Sequence, residues 1–261
     1  MKRIRQFLSA FVVAGLLGAG LVTQAAAVTG GAAPSITRKD PAIQNRVVQE
    51  LAKKQEFRNV QAATEDGIVT LSGTVDLYQQ KLDAGKKVKK ISNVQGVRNL
   101  IEVSGKDVPD AALAAQLDRK IYFDRVGYFD APFNYVDVSV KDGVATLQGA
   151  TRSDVGRDSA LALATRMPGV KDVVNDIKVL PVSGFDDQIR LRALRTIYRD
   201  PVLSRYAVDP ARPIRIIVDN GHVTLYGVVD NAMDKNVAGI RANQVFGAFT
   251  VQNNLVVAKQ S

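Results

Sequence analysis

Asp66-Gly67-Ile68-Val69-Thr70-Leu71-Ser72-Gly73 is a phrase that this chain writes three times. It returns as Asp142-Gly143-Val144-Ala145-Thr146-Leu147-Gln148-Gly149, 76 residues later, and as Asn220-Gly221-His222-Val223-Thr224-Leu225-Tyr226-Gly227, a further 78 on. An Asp-Gly or Asn-Gly pair tolerates positive φ and so suits the tight turn of a hairpin between two alternating strands. The register holds on both sides of the turn. Upstream, Val60 and Ala62 match Val136 and Val138, then Ile214 and Ile216; downstream, Asn99, Asn175 and Asn253 align, followed by Ile101, Ile177 and Leu255 and by Val103, Val179 and Val257. Such self-similarity is the signature of a repeated structural unit.

Working outward, each hairpin is preceded by an apolar stripe at i, i+4, i+8: Ile43, Val47, Leu51; Leu113, Leu117, Ile121; Ile189, Ala193, Ile197. That spacing predicts a helix with one buried face. Asp40, followed by Pro41, is expected to cap the first of these helices, with Asp110 and Asp186 serving similarly. After each hairpin a second helix is predicted, carrying Ala84, Val88 and Ile91 on its inner face, then Ala160, Ala164 and Met167, then Ala238, Ala242 and Val245. Asn93, Gly169 and Gly247 stand where the chain leaves that helix in a left-handed conformation. A closing strand over 97–103, 173–179 and 251–257 completes the unit. The fold class expected is therefore α+β: three tandem αββαβ modules, each a small mixed three-stranded sheet covered by two helices. Their bounds read as 40–104, 109–180 and 185–259. Units of this size bury modest cores, so neighbouring modules can add to one another's stability.

This combination of helix, D-G-x-V-x-L-x-G hairpin, Ala-faced helix and closing V-x-N-x-[IL]-x-V strand resembles the BON domain of exported bacterial proteins, over nearly the whole mature chain. The resemblance implies kinship with osmotically inducible periplasmic proteins and outer-membrane lipoproteins that carry two such domains. It also implies links to envelope stress and to contact with anionic phospholipid. Lipoprotein relatives have an acylated Cys, and this chain has no cysteine, which puts that route of anchoring in doubt.

Export is legible in its own right. Lys2, Arg3 and Arg5 precede an apolar run over 7–22, and Ala25-Ala26-Ala27 follows. This three-part pattern predicts a signal peptide over 1–27, cut after Ala27, with a flexible segment over 28–39; a lone membrane-spanning helix is the alternative. A soluble periplasmic or secreted protein is the expected product.

One His, no Cys and no His–carboxylate cluster at ligand spacing leave little for catalysis or metal binding. An enzyme, a cofactor, a small-molecule substrate and a nucleic-acid partner are not expected; export removes the last from reach. His222 reads as an exposed turn residue. The recurring basic position Lys81, Arg157 and Lys235 reads as a structural ion-pair partner.

Charge and aromatics supply the candidate contacts. Lys and Arg outnumber Asp and Glu by 13 to 9 over 28–108 and by 10 to 7 over 183–261, but fall short by 9 to 10 over 109–182. Lys86, Lys87, Lys89 and Lys90 crowd the second helix of the first module, and Arg190, Arg192, Arg195 and Arg199 the first helix of the third. They suit an anionic phospholipid surface, a solvated face being the plain alternative. The second module has a longer, aromatic connection before its hairpin, over 122–135. Its rings either close their own small core or form an exposed interface, for which Tyr128, Phe129 and Phe133 are the candidates. The function expected is that of a non-enzymatic envelope protein binding anionic phospholipid or an envelope complex in envelope or osmotic stress. The alternative is a protein-interaction or self-assembly module without lipid affinity.

Overall fold

The computed structural model describes residues 40–123, 131–208 and 213–258. The expected signal peptide, the segment over 28–39, Tyr128 and Phe129 lie outside these residues. Within them, the threefold unit is present. Helix α1 (Asp40–Ala52) leads to strands β1 (Val60–Glu65) and β2 (Ile68–Val75), helix α2 (Tyr78–Lys89) and the short strands β3 (Gly96–Asn99) and β4 (Glu102–Val103). The second module repeats this as α3 (Asp110–Phe123), β5 (Tyr135–Lys141), β6 (Val144–Thr151), α4 (Asp154–Thr165) and β7 (Asp172–Val179). The third has α5 (Gly184–Tyr198), a short helix α6 (Arg205–Val208), β8 (Arg215–Asp219), β9 (His222–Tyr226), β10 (Val228–Val229), α7 (Ala232–Asn243), β11 (Thr250–Asn253) and β12 (Val256–Val257).

In each module the second strand is central. It pairs antiparallel with its hairpin partner and parallel with the strand reached through the second helix. Both turn residues have positive φ in every copy: Asp66 and Gly67 at 50° and 76°, Asp142 and Gly143 at 54° and 79°, Asn220 and Gly221 at 50° and 79°. This is the geometry that joins two twisted strands through two residues. The expected left-handed exits also occur, at Asn93 (71°), Gly169 (98°) and Gly247 (94°). The predicted stripes of α1, α3 and α5 are buried against their sheets together with the alanines of α2, α4 and α7.

Two expectations are corrected. Asp40, Asp110 and Asp186 do not spend their carboxylates on their own helices. Each reaches the hairpin turn and accepts both of its amides: Asp66 N and Gly67 N at 2.9 and 2.9 Å, Asp142 N and Gly143 N at 2.7 and 2.9 Å, Asn220 N and Gly221 N at 3.0 and 2.8 Å. Successive amides in such a turn point the same way and form a small anion-binding nest. Helix α5 is capped instead by Ser183, whose Oγ accepts from Asp186 N at 3.2 Å.

The closing strand is also not uniform. It is broken in the first and third modules and continuous in the second. Asn99 Nδ2 donates to Lys81 O and Asn253 Nδ2 to Lys235 O, both at 2.7 Å, which turns each Asn toward the covering helix. Room for it comes from glycine: a Cβ on Gly85 or Gly239 would lie 2.9 or 2.8 Å from that amide nitrogen. The second module has Leu161 at the matching place, Asn175 stays exposed, and β7 runs through. The recurring basic position therefore shares a backbone carbonyl in the first and third modules, and only Arg157 of the three forms the expected ion pairs, to Asp154 at 2.8 Å and Asp158 at 2.9 Å.

Neighbouring modules do touch. Thr165 Oγ1 donates to Gln79 Oε1 at 2.7 Å, and Tyr78 packs against the core of the second module. Between the second and third, Ala150, Leu180 and Ile217 form a separate small cluster. Tyr135 and Tyr226 stack beside it, centroids 4.1 Å apart with 6° between ring planes. Arg152 pairs with Asp187 at 2.9 Å, and Lys178 with Asp219.

Candidate contact surface

The lysines predicted on α2 divide by environment. Lys87 lies against α1, 3.1 Å from Glu50, and the hydrogen bonds of Lys53 and Lys87 hold the Glu50 carboxyl below its usual range. Lys86, Lys89 and Lys90 are exposed. Lys90 borders a shallow basic depression with Arg46 and Lys87.

Helix α5 separates its arginines more sharply. Arg190 is 2 % exposed; Nη1 donates to Asp187 Oδ1 at 2.7 Å and Nη2 to Val218 O at 2.5 Å. It ties the helix to the sheet and is withdrawn from the set of surface contacts, because its place next to Ile189 on the helix turns it inward. Phe185, Gln188, Arg192, Arg195 and Arg199 follow one another at spacings of three and four, which puts them on one outward face. At 1.5 Å per residue this face is about 20 Å long. Its far end forms a hollow of about 300 Å³ where Arg195, Arg199 and Arg241 gather around Asp200. Arg241 Nε donates to Asp200 Oδ2 at 2.7 Å, a bond that lowers the pKa of that carboxyl. Three guanidinium groups against one carboxylate leave the hollow positive, and guanidinium suits phosphate oxygens.

Of the aromatic candidates in the 122–135 connection, Phe133 is the one that the described residues include, and further aromatic rings are exposed at the other end of α5. Phe133 packs on the core of the third module with the Arg152 guanidinium 5.8 Å from its ring centroid, so it joins modules instead of facing out. The open rings there are Phe246 (81 % exposed), Phe249 (68 %) and Phe185 (47 %), and Phe123 is exposed at the end of α3. Phe185 and Phe249 are 5.6 Å apart. Arg192 lies 5.4 Å from the Phe246 ring and donates to Phe246 O at 3.0 Å. Gly221 seats Phe249: a Cβ there would come within 2.6 Å of the ring. The signal was in the repeat register, where Phe246 stands in place of Ser92 and Pro168, and Phe249 in place of Gln95 and Lys171. His222 is exposed beside Phe249, its Nδ1 2.7 Å from Thr250 Oγ1.

No group of three or more His, Cys, Asp or Glu among the described residues could hold a metal ion. No described helix is long and apolar enough to cross a membrane.

Comparison with known proteins bears on the same repeat. A family model described as the BON domain matches residues 39–105, 109–181 and 196–259. Osmotically-inducible protein Y of Escherichia coli (strain K12) is 29% identical over 148 residues, 53% of this chain and 72% of that protein. An uncharacterized protein in the gshII 5' region of Anaplasma centrale is 27% identical over 146 residues, 54% of this chain and 94% of that one. Among solved structures, CdsD, a structural protein of the type III secretion system of Chlamydia trachomatis, is 15% identical with a TM-score of 0.24, covering 83% of this chain and 94% of that chain. The periplasmic domain of PrgH is 11% identical with a TM-score of 0.21, covering 82% and 100%. Superpositions at this level add nothing to the family match.

Proposed function

From the premise that the chain belongs to the BON-domain family, three copies of which span most of it, we propose that it is an exported, non-enzymatic envelope protein that attaches to anionic phospholipid through the third module in envelope or osmotic stress. The observation that carries this reading is the outward face of α5, where Arg192, Arg195 and Arg199 continue the line of Phe185, with Arg192 against Phe246 and Phe185 beside Phe249. Three cations near an anionic surface contribute about 1 kcal/mol each. That sum falls short of even millimolar affinity, which needs about 4 kcal/mol. Insertion of a phenyl ring adds about 1.5–3 kcal/mol. The rings therefore decide whether the protein stays bound, and the arginines decide which surface it meets. Lys86, Lys89 and Lys90 offer a second basic contact.

Vesicle co-sedimentation across a salt series tests this. Binding is expected to require anionic lipid, to weaken as salt screens the charges, and to drop at least tenfold in the F246S/F249S double variant with the fold intact. Equal binding to neutral and anionic vesicles, or none to either, overturns it. Retention of a protein partner in the absence of vesicle binding would support the alternative of a protein-interaction module.

A further inference from the structure

A cleft of about 520 Å³ lies between the second and third modules, within the range of about 300–1,000 Å³ usual for small-molecule sites. Helix α3 and the edge strand β5 form one wall, and the start of β8 with the Gly227 and Asn254 bends forms the other. Its lining mixes Ile121, Val138, Val228 and Val256 with two tyrosines, Tyr122 and Tyr135.

Charge is what sets this cleft apart. Among the described residues the other buried ionic side chains have a partner for their charge: Asp186 two amides, Asp200 Arg241, Asp234 Arg205 and Tyr206, and Arg190 Asp187 and a carbonyl, although the Arg190 Nε is left without one. Arg215, at the cleft wall and 8 % exposed, has no such partner. Its guanidinium rests on the Tyr122 ring, 5.2 Å from the centroid, and no carboxylate among the described residues comes within ion-pair distance. A buried cation without a counter-ion is costly to maintain. The matching position is Gln61 in the first module and Asp137 in the second, so neither other copy supplies an Arg there.

Across the same cleft stand Asp118 and Asp137. Burial and the neighbouring Asp137 raise the pKa of Asp118, while Arg215 pulls it down. The opposite charges sense one another without meeting. A dianion would be repelled by the two carboxylates, and a simple cation would leave Arg215 as it is.

We infer that this cleft binds a small zwitterion of the α-amino-acid type with an apolar side chain. Its carboxylate meets Arg215, its ammonium the Asp118 and Asp137 side, and its side chain the tyrosines and valines. The site is independent of the lipid-facing helix.

Calorimetric titration of the full chain with L-phenylalanine tests it, against phenylalaninamide, which lacks the carboxylate, and hydrocinnamate, which lacks the ammonium. Saturable binding of phenylalanine is expected, weaker by about ten- to hundredfold for either analogue, as fits loss of one charged hydrogen bond. Arg215→Gln should abolish the preference over phenylalaninamide. Should that variant not fold, Ala115→Trp, at an exposed position on the lining of α3, should block binding while leaving Arg215 in place. Absence of saturable phenylalanine binding, or binding of hydrocinnamate as tight as phenylalanine, overturns the inference.

Discussion

The three carboxylates that hold the hairpin turns form an internal experiment, because one interaction is repeated in two solvent environments. Asp186 is fully buried, and the bond to Gly221 N is buried with it, whereas Asp40 and Asp110 are half-buried at turns that water can reach. Hydrogen bonds to an ionised group contribute about 1.5–3 kcal/mol each, and a buried donor left without a partner costs about as much. Asp186→Ala should therefore cost about 3–5 kcal/mol. Asp40→Ala and Asp110→Ala should cost about 1–2 kcal/mol, since water takes over the freed amides. Asp186→Asn, with one acceptor oxygen for two amides, should fall between. A three-module chain need not unfold in one step, so a single denaturation midpoint is the wrong readout. Hydrogen exchange resolved by peptide gives the opening free energy of each hairpin separately. Equal losses in the three variants, or a loss below about 1 kcal/mol at Asp186, would refute the claim that burial sets the strength of this contact.

Three further outcomes are expected. Gly149→Ala places a Cβ 2.2 Å from Tyr135 O at a φ of +129°, so it should cost about 2–4 kcal/mol by thermal denaturation; Gly184→Ala, in open space in the first turn of α5, should stabilise by up to about 1 kcal/mol. Burial pushes the phenols of Tyr78 and Tyr135 up to about 12, helped by Asp172 and Asp137 respectively, while an unfolded tyrosine ionises near 10. Their contribution to stability is complete below pH 10 and disappears as pH rises toward 12. Tyrosinate absorbance should show a late rise as pH approaches 12, smaller in amplitude in Tyr135→Phe. Gly85→Leu copies Leu161 of the second module and should expel Asn99 from its bond to Lys81 O, at a cost of about 1–3 kcal/mol. An unchanged melting temperature would show that the strand break has another origin.

Several elements were legible because their causes are local. The Asp-Gly and Asn-Gly pairs demand positive φ, the i, i+4, i+8 stripes demand one buried helix face, and Asn93, Gly169 and Gly247 mark left-handed exits, all within a few residues. Repetition multiplied those signals, so the αββαβ order could be read without a structure. The register even held the clue to Phe246 and Phe249, which replace polar or proline positions in the other copies. Local reasoning misplaced what depends on partners distant in the chain. Asp40 looks like a helix cap until the turn 26 residues away is folded beside it. Arg190 and Arg192 read alike, yet Asp187 and the Val218 carbonyl draw one inward while the other lies on Phe246. Phe133 reads as a loop aromatic until the third module supplies the surface it covers. The two helices and three strands of each module and their threefold order follow from local chemistry, since turn preference and hydrophobic period act between near neighbours. Which charges and rings remain outside, and that Arg215 faces a cleft, follow from packing between modules, which joins residues with no spacing rule to announce them.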